Sequence, residues 1–454
     1  MTIASTLVTV IAFLIGVVLL VVGLAVSIAL HEIGHLVPAK KFGVRVGQYM
    51  IGFGPTLWSR RIGETEYGFK ALPLGGYISM AGMYPPSPDA TAKANADAAA
   101  APAGTAGKAG GGFFATMVQD ARLANDETLA GDDGRRAFYE LPVWQRVIVM
   151  LGGPLMNLLL AIVLFTIVFS GIGVQTATTT IAAVSECVLP AGSTQTTCTA
   201  DDPASPAAEA GIQPGDVIVS VDGTDVDSFA AASAIIQASP NRPLDVVVNR
   251  DGTDQTLRVT PMVAERQVQQ ADGEITTAQV GFVGMTATTE YVRQPIWEGP
   301  EAAFAQAGQV AGIMWQLPAR VYQTAADMIT GQDRDPNGPL SVVGVGRLAG
   351  EVAATDAPVL DRVSTLLGLL GALNIALFVF NLIPLLPLDG GHVVVALWDG
   401  IKRAWAKLWR RPPPAPVDAT RLVPVTFVVV IALVVMGGIL ILADLINPVQ
   451  LLGG

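Results

Sequence analysis

The sequence predicts a polytopic α-helical membrane protein: about four transmembrane helices, a membrane-associated β hairpin or sheet, and an extracytoplasmic domain of mixed α/β structure. Three observations carry this. Of the 454 residues, 51% are hydrophobic and only 14% charged, too apolar for an ordinary soluble protein of two or three domains. Four stretches reach spanning length: about Leu7 to Leu30, Val147 to Val174, Leu366 to Leu386 and Val423 to Leu442. The segment 175–290 reads instead as short strands separated by turns.

Residues 1–48 form the first transmembrane unit. Thr2 to Leu30 contains no charged residue, and the run ends in His31-Glu32-Ile33-Gly34-His35. It lacks a basic leader and a small-residue cleavage site, so it is expected to remain in the mature protein rather than leave as a signal peptide. Residues four apart share a helix face, so His31 and His35 can offer ring nitrogens to one ion while Glu32 reaches an attached water. Ionisable groups at the edge of an apolar span are costly and therefore point to function. The chain has three histidines, and two of them lie in this motif.

Residues 49–83 alternate apolar and polar side chains with glycine punctuation, which predicts a hairpin or short strands lying against the membrane. Within it Gly52, Gly54, Gly75 and Gly76 suggest close backbone approach. Residues 84–133 are rich in Ala, Gly, Pro and Asp and bury almost nothing, as expected of a flexible low-complexity insert. The second spanning unit, 134–174, contains Gly152-Gly153-Pro154-Leu155-Met156-Asn157; its small residues allow close helix packing, and Asn157 is expected to hydrogen-bond between helices.

Within 175–290, the run from Ser205 to Gly223 reads as a short helix, a Pro214-Gly215-Asp216 turn, a strand and a second turn. It resembles a PDZ domain of the kind found in bacterial membrane and periplasmic proteases, and PDZ domains bind extended chain ends by strand addition. Val280-Gly281-Phe282-Val283-Gly284 is a candidate for the neighbourhood of such a groove. Cys187 and Cys198 fall in this outer segment, where disulfides persist, and are a candidate pair; two unpaired thiols are the other reading.

Residues 291–362 carry apolar positions at helical spacing, read as amphipathic outer-face helices or a pair packed on the outer domain. The third spanning unit, 363–400, contains Asn381-Leu382-Ile383-Pro384-Leu385-Leu386-Pro387-Leu388-Asp389-Gly390-Gly391-His392. An aspartate directly after an uncharged span calls for a cationic partner, and a metal ion shared with His31 and His35 is the strongest candidate. Two histidines and a carboxylate make a catalytic zinc set that leaves room for water. A basic loop, 401–421, and a fourth spanning unit, 422–454, complete the chain.

Lys40, Lys41, Arg45, Arg60 and Arg61 after the first span, and Lys402, Arg403, Lys407, Arg410 and Arg411 after the third, place both loops in the cytoplasm. Both termini are then extracytoplasmic and the His-Glu motif lies toward the cytoplasmic side of a plasma membrane. Trp405 and Trp409 interleave with the second cluster as interfacial anchors on the lipid bilayer. The net charge of −11 and the absence of a basic face argue against nucleic acid.

Taken together, HEIGH, GFGP, LGGY, GGPLMN, one PDZ-like domain and NLIPLLPLDGGH resemble the site-2 protease family of intramembrane zinc metalloproteases, in its bacterial regulator-of-sigma-factor branch. The likeness covers nearly the whole chain outside the insert. Pro387 stands one residue later than in the commoner family form. The resemblance implies Zn2+ held by His31, His35 and Asp389, Glu32 as general base, and Asn381 helping to hold unwound substrate, with Gly75 and Gly76 as further substrate-side candidates in the β segment. It implies substrates that are single-span membrane proteins such as anti-sigma factors, trimmed first by an upstream site-1 protease. His392 is read as hydrogen-bonding or interfacial rather than as a ligand. Two other classes remain: a non-catalytic membrane PDZ scaffold with a structural metal site, in which Glu32 is dispensable, and a metal transporter, which a single ionisable cluster at one membrane face disfavours.

Overall fold

The computed structural model describes residues 3–83, 136–188, 198–199, 202–269 and 275–449. The insert expected over 84–133 lies outside these residues. Two compact units emerge, one formed by Met1–Gly171 with Pro295–Gly454 and the other by Ile172–Gln294.

The first unit is helical. Helix α1 (Ile3–Lys41) runs without interruption through the His-Glu motif, ends in the basic pair Lys40 and Lys41, and turns off at Gly43 with φ +82°. Helix α2 (Val143–Thr166) follows, extended by a π-helical stretch over Ile167–Ile172. Among the described residues, four helices are long and apolar enough to cross a membrane: Thr6–Lys41, Val143–Ile172, Val359–Asn381 and Ala419–Ile446. In the last of these only 6% of the most apolar window is buried by protein. Such a surface requires lipid as its solvent.

Between α1 and α2 the expected β segment is a folded hairpin, β1 (Val46–Ile62) with β2 (Thr65–Met80), closed by the two-residue turn Gly63-Glu64. Both strands bend, at Gly52 and Gly54 (φ +92° and +88°) and at Gly75 (φ +144°). The bend lays the proximal part of β1 between two parts of β2: Tyr49 pairs with Ile78 on one side and Tyr67 on the other, and Met50 with Tyr77 and Gly68. The base of this sheet packs through Val46, Tyr49, Ile51 and Met80 onto Ile28 and Leu36 of α1 and Val149 of α2. A further hook is the Tyr49 hydroxyl, which donates to the Ala29 carbonyl at 2.8 Å. Burial, followed by the nearby Glu32 carboxylate, pushes this phenol up to about 12, so it remains a donor.

In the C-terminal part of the first unit, the region expected to hold amphipathic helices contains α5 (Glu298–Met314), α6 (Leu317–Thr330) and α7 (Val342–Ala354), numbered after two helices of the second unit. Helix α7 was not anticipated as a separate element. It packs tightly on α1, where a Cβ on Gly16 would lie 2.6 Å from the Ala353 Cβ. The third spanning segment, read as one element through residue 400, is two helices, α8 (Val359–Asn381) and α9 (Asp389–Leu408). Pro384 and Pro387 supply no amide hydrogens, so the helical ladder cannot continue through 382–388. Helix α10 (Val423–Ile446) closes the unit.

The second unit holds an antiparallel sheet in the order β10-β3-β4-β6-β7, with β5 against β4, built from β3 (Val174–Val184), β4 (Val217–Val221), β5 (Thr224–Asp225), β6 (Leu244–Arg250), β7 (Thr253–Val259) and β10 (Met285–Val292). A separate ribbon pairs β8 (Met262–Gln269) with β9 (Ile275–Phe282). Short helix α3 (Pro206–Glu209) is capped by Ser205, and α4 (Phe229–Gln237) by Ser228. Leu244, Val246 and Val248 alternate inward along β6 onto Ile181, Ile218 and Ile236, the period-two pattern of a half-buried strand. Cys187 and Cys198 are joined by a disulfide, with Cα atoms 5.9 Å apart. A groove of about 320 Å³ runs between α4 and residues 280–285, so the segment Val280–Gly284 does line a concave surface.

Candidate metal centre

Within the first unit, α1 presents His31 and His35 on one face one turn apart, and α9 begins at Asp389. The Nε2 atoms of the two histidines are 3.2 Å apart, and each lies 3.4 Å from Asp389 Oδ2. Nitrogen and oxygen ligands held at about 2.0–2.1 Å in a tetrahedron stand roughly 3.4 Å from one another. The three atoms therefore already have the spacing of three corners of one coordination tetrahedron. Asp389 Oδ2 is buried with no hydrogen-bond partner, an orphaned anionic atom of the kind a cation satisfies. Among the described residues this is the group of His, Cys, Asp and Glu side chains placed to hold a metal.

Orientation comes from α2. The His35 Nδ1 lies 2.7 Å from the Val149 carbonyl oxygen, and in the tautomer that donates there Nε2 carries the lone pair. Gly153, one turn further along α2, lies against both rings: a Cβ there would sit 2.7 Å from His35 Cε1 and 2.8 Å from His31 Cε1. The approach of the two helices depends on Gly34 and Gly152, each of which would drive a Cβ into the other's carbonyl oxygen. The sequence marked Gly152 and Gly153 as packing residues but not Gly34, and it contained no signal that a backbone carbonyl at 149 orients His35.

Glu32, 7% exposed, follows His31 on α1 and is bounded by the β segment. A Cβ on Gly76 would lie 2.9 Å from Glu32 Cγ and 3.1 Å from its Oε1, so β2 passes directly over this carboxylate. Gly75 is turned toward the Phe53 ring, in a positive-φ conformation that suits glycine. The structure thus brings His31, His35, Glu32, Asp389 and Gly76 together. Asn381 stands half-buried at the end of α8, separated from Asp389 by the non-helical turn. His392 lies in the first turn of α9, outside the ligand triangle.

Asn157 is 1% exposed, and neither its amide nitrogen nor its oxygen has a hydrogen-bond partner among the described residues. The helix-to-helix bond expected of it is made by Asn374 instead, which donates to Ser27 Oγ at 2.9 Å across α8 and α1 and to the Leu370 carbonyl at 2.8 Å. A second polar contact, between Arg146 of α2 and Asp399 of α9 at 3.0 Å, was also absent from the sequence reading, because a buried pair 253 residues apart leaves no local pattern.

The family model for peptidase family M50 matches residues 19–409, a range that contains every one of these groups. The zinc metalloprotease Rip1 of Mycobacterium tuberculosis is 33% identical over 448 residues, covering 97% of this chain and 99% of that protein. The Rip1 of Mycolicibacterium smegmatis is 33% identical over 458 residues, covering 97% of this chain and 99% of that protein. The metalloprotease MmpA of Caulobacter vibrioides is 29% identical over 408 residues, covering 87% of this chain and 88% of that protein.

Proposed function

Because this chain belongs to peptidase family M50, the site-2 proteases, and is a zinc metalloprotease of the membrane, we propose that it cleaves transmembrane segments with His31, His35 and Asp389 as zinc ligands and Glu32 as general base. The observation that carries the assignment is the ligand triangle of 3.2 and 3.4 Å edges, with Glu32 beside it. His31, His35 and Asp389 would hold the zinc, which would supply Lewis acidity to a scissile carbonyl and lower the pKa of an attacking water. Glu32 takes the proton of that water and returns it to the leaving amide nitrogen, the two-way role of a general acid–base. Its burial among Ile28 and Gly76 excludes bulk water that would compete for the proton.

A helical substrate hides its peptide bonds, so it must unwind before it can be cut. The β segment beside Glu32 serves as the receiving strand: main-chain pairing with an extended substrate replaces the helical hydrogen bonds it gives up. The closeness of β2 to Glu32, where a Cβ on Gly76 would lie 3.1 Å from Glu32 Oε1, supports this, since an added strand there would deliver its carbonyl to the catalytic groups. Asn381 and Gly75 complete the substrate side.

The second unit is a PDZ domain, and the groove between α4 and residues 280–285 supports its taking an extended chain. It admits substrates already shortened by a site-1 protease, with single-span anti-sigma factors as the substrate class, in regulated intramembrane proteolysis at a bacterial plasma membrane. Both termini are extracytoplasmic and the metal centre lies toward the cytoplasmic side.

The test is cleavage of a pre-trimmed single-span anti-sigma factor by wild type and Glu32→Gln in the same membranes, with bound zinc counted in both. Loss of cleavage with zinc retained is expected. Equal cleavage would remove Glu32 from catalysis and favour a scaffold with a structural metal site.

A further inference from the structure

Helix α9 carries Asp389 at its first position and Asp399 about 15 Å further along its axis. Asp399 is 1% exposed and Arg146, on α2, is 4% exposed. Arg146 Nη1 donates to Asp399 Oδ2 at 3.0 Å, while Asp399 Oδ1 accepts from the Val417 amide at 2.9 Å and lies 3.3 Å from Lys402 Nζ. One turn beyond Arg146 on the same helix is the Val149 carbonyl that meets His35, and one further turn on is Gly153, packed on both imidazoles. Helix α2 is therefore the common reference for the two histidines and for the helix that starts with the aspartate.

As a source of stability alone the pair is a poor choice. Arg146 Nε and Nη2 are buried without acceptors, and apolar residues of similar volume commonly serve as well or better than a buried ion pair. What the pair supplies is register. A helix displaced by one residue moves 1.5 Å along its axis and turns by about 100°, enough to carry a side chain off its target. The non-helical turn 382–388 separates α9 from α8, so the regular α8 ladder does not hold α9 in place.

We infer that Arg146 and Asp399 are positioning residues of the metal centre: their buried ion pair locks α9 onto α2 in the one register that sets Asp389 Oδ2 at 3.4 Å from both histidine Nε2 atoms. This rests on the reading of Asp389 as a ligand.

A second buried pair, Arg334 with Asp444, provides an internal control. It ties the segment before α7 to α10, with Asp444 also accepting from the Ser341 amide at 2.7 Å and the Gly344 amide at 3.2 Å, and none of these groups belongs to α9. The experiment measures zinc retention against a chromophoric chelator, together with the thermal unfolding midpoint, on the full chain in nanodiscs. The variants are Arg146→Met, Asp399→Asn, Arg146→Lys, Arg334→Met and Asp389→Ala. Arg146→Met and Asp399→Asn are expected to weaken zinc retention about tenfold or more, the range for groups that orient ligands. Arg146→Lys, which keeps the charge, should recover part of it, and Arg334→Met should lower the midpoint and leave zinc retention at the wild-type level. If Arg146→Met does not fold, Asp399→Asn and Arg146→Lys carry the comparison. Wild-type retention in these variants, with zinc lost from Asp389→Ala, would overturn the positioning role and leave the ligand reading standing. An equal loss of zinc from Arg334→Met would reduce the effect to general packing and overturn it too. Zinc kept by Asp389→Ala would remove the ligand reading itself.

Discussion

Replacing Gly153 by alanine adds one methyl group at the contact between α2 and the two imidazoles. Its Cβ would stand 2.7 Å from His35 Cε1 and 2.8 Å from His31 Cε1, with His35 Nε2 closer still, whereas ordinary contact begins at 3.4 Å. The His31 ring would have to move by about 0.6 Å and the His35 ring, whose Nε2 is nearer, by more, or the helices would have to separate; a zinc site tolerates ligand distances within about 0.2 Å. Separation is resisted at the neighbouring Gly34–Gly152 contact, where the two backbones rest on each other. The expected result is a loss of zinc affinity of about 10- to 100-fold and a fall in cleavage of about 100-fold, with overpacking costing about 1–3 kcal/mol of stability. Chelator competition on the purified chain, paired with cleavage of a reconstituted single-span substrate, reads both effects. A Gly153→Ala protein that holds zinc as wild type does and cleaves at the wild-type rate would refute the view that α2 presses the imidazoles into place.

Gly76→Ala places its Cβ nearest to Glu32 and Ile28, 2.9 Å from Glu32 Cγ and 3.0 Å from Ile28 Cγ2, so kcat should fall about 10- to 100-fold while zinc content stays at the wild-type value; loss of zinc from this variant would show that the β segment supports the candidate ligands as well. In the second unit, hydrogen bonding from Arg250 holds the Asp216 carboxyl below the usual carboxylate range, with Arg250 Nε donating at 2.7 Å. A depressed folded-state value stabilises above the unfolded value of about 3.9 and loses that contribution as pH falls through the folded one. Amide protection of β4 and β6 in the intact protein should therefore decline as pH drops below about 4, and Asp216→Asn should flatten that decline. An unchanged pH slope in Asp216→Asn would exclude the pair as its source.

The apolar helices and the residues of the candidate centre were legible in the sequence because both depend on local pattern. A charge-free run long enough to span has few alternatives to helix in lipid, and histidines at i and i+4 share a face wherever that helix goes. Asp389 was identifiable by the electrostatic cost of a carboxylate after an apolar span. The break at 382–388 was visible in its prolines, yet the helix following it was merged with the one before, because apolar periodicity continues across the gap. Helix α7 was missed for the opposite reason: its Ala349, Gly350 and Ala353 look unremarkable until they pack against Phe13 and Gly16 of α1.

By itself, then, the sequence determined the class of protein and the segments apolar enough to span, and it proposed the candidate ligands and base, because each follows from the hydration cost of residues near one another in the chain. Only the tertiary structure decided how those groups are held. The Val149 carbonyl on His35, Gly153 against both rings, Gly76 over Glu32, and Arg146 paired with Asp399 join elements far apart in sequence. Their energies depend on distance in space, and no spacing along the chain encodes that distance.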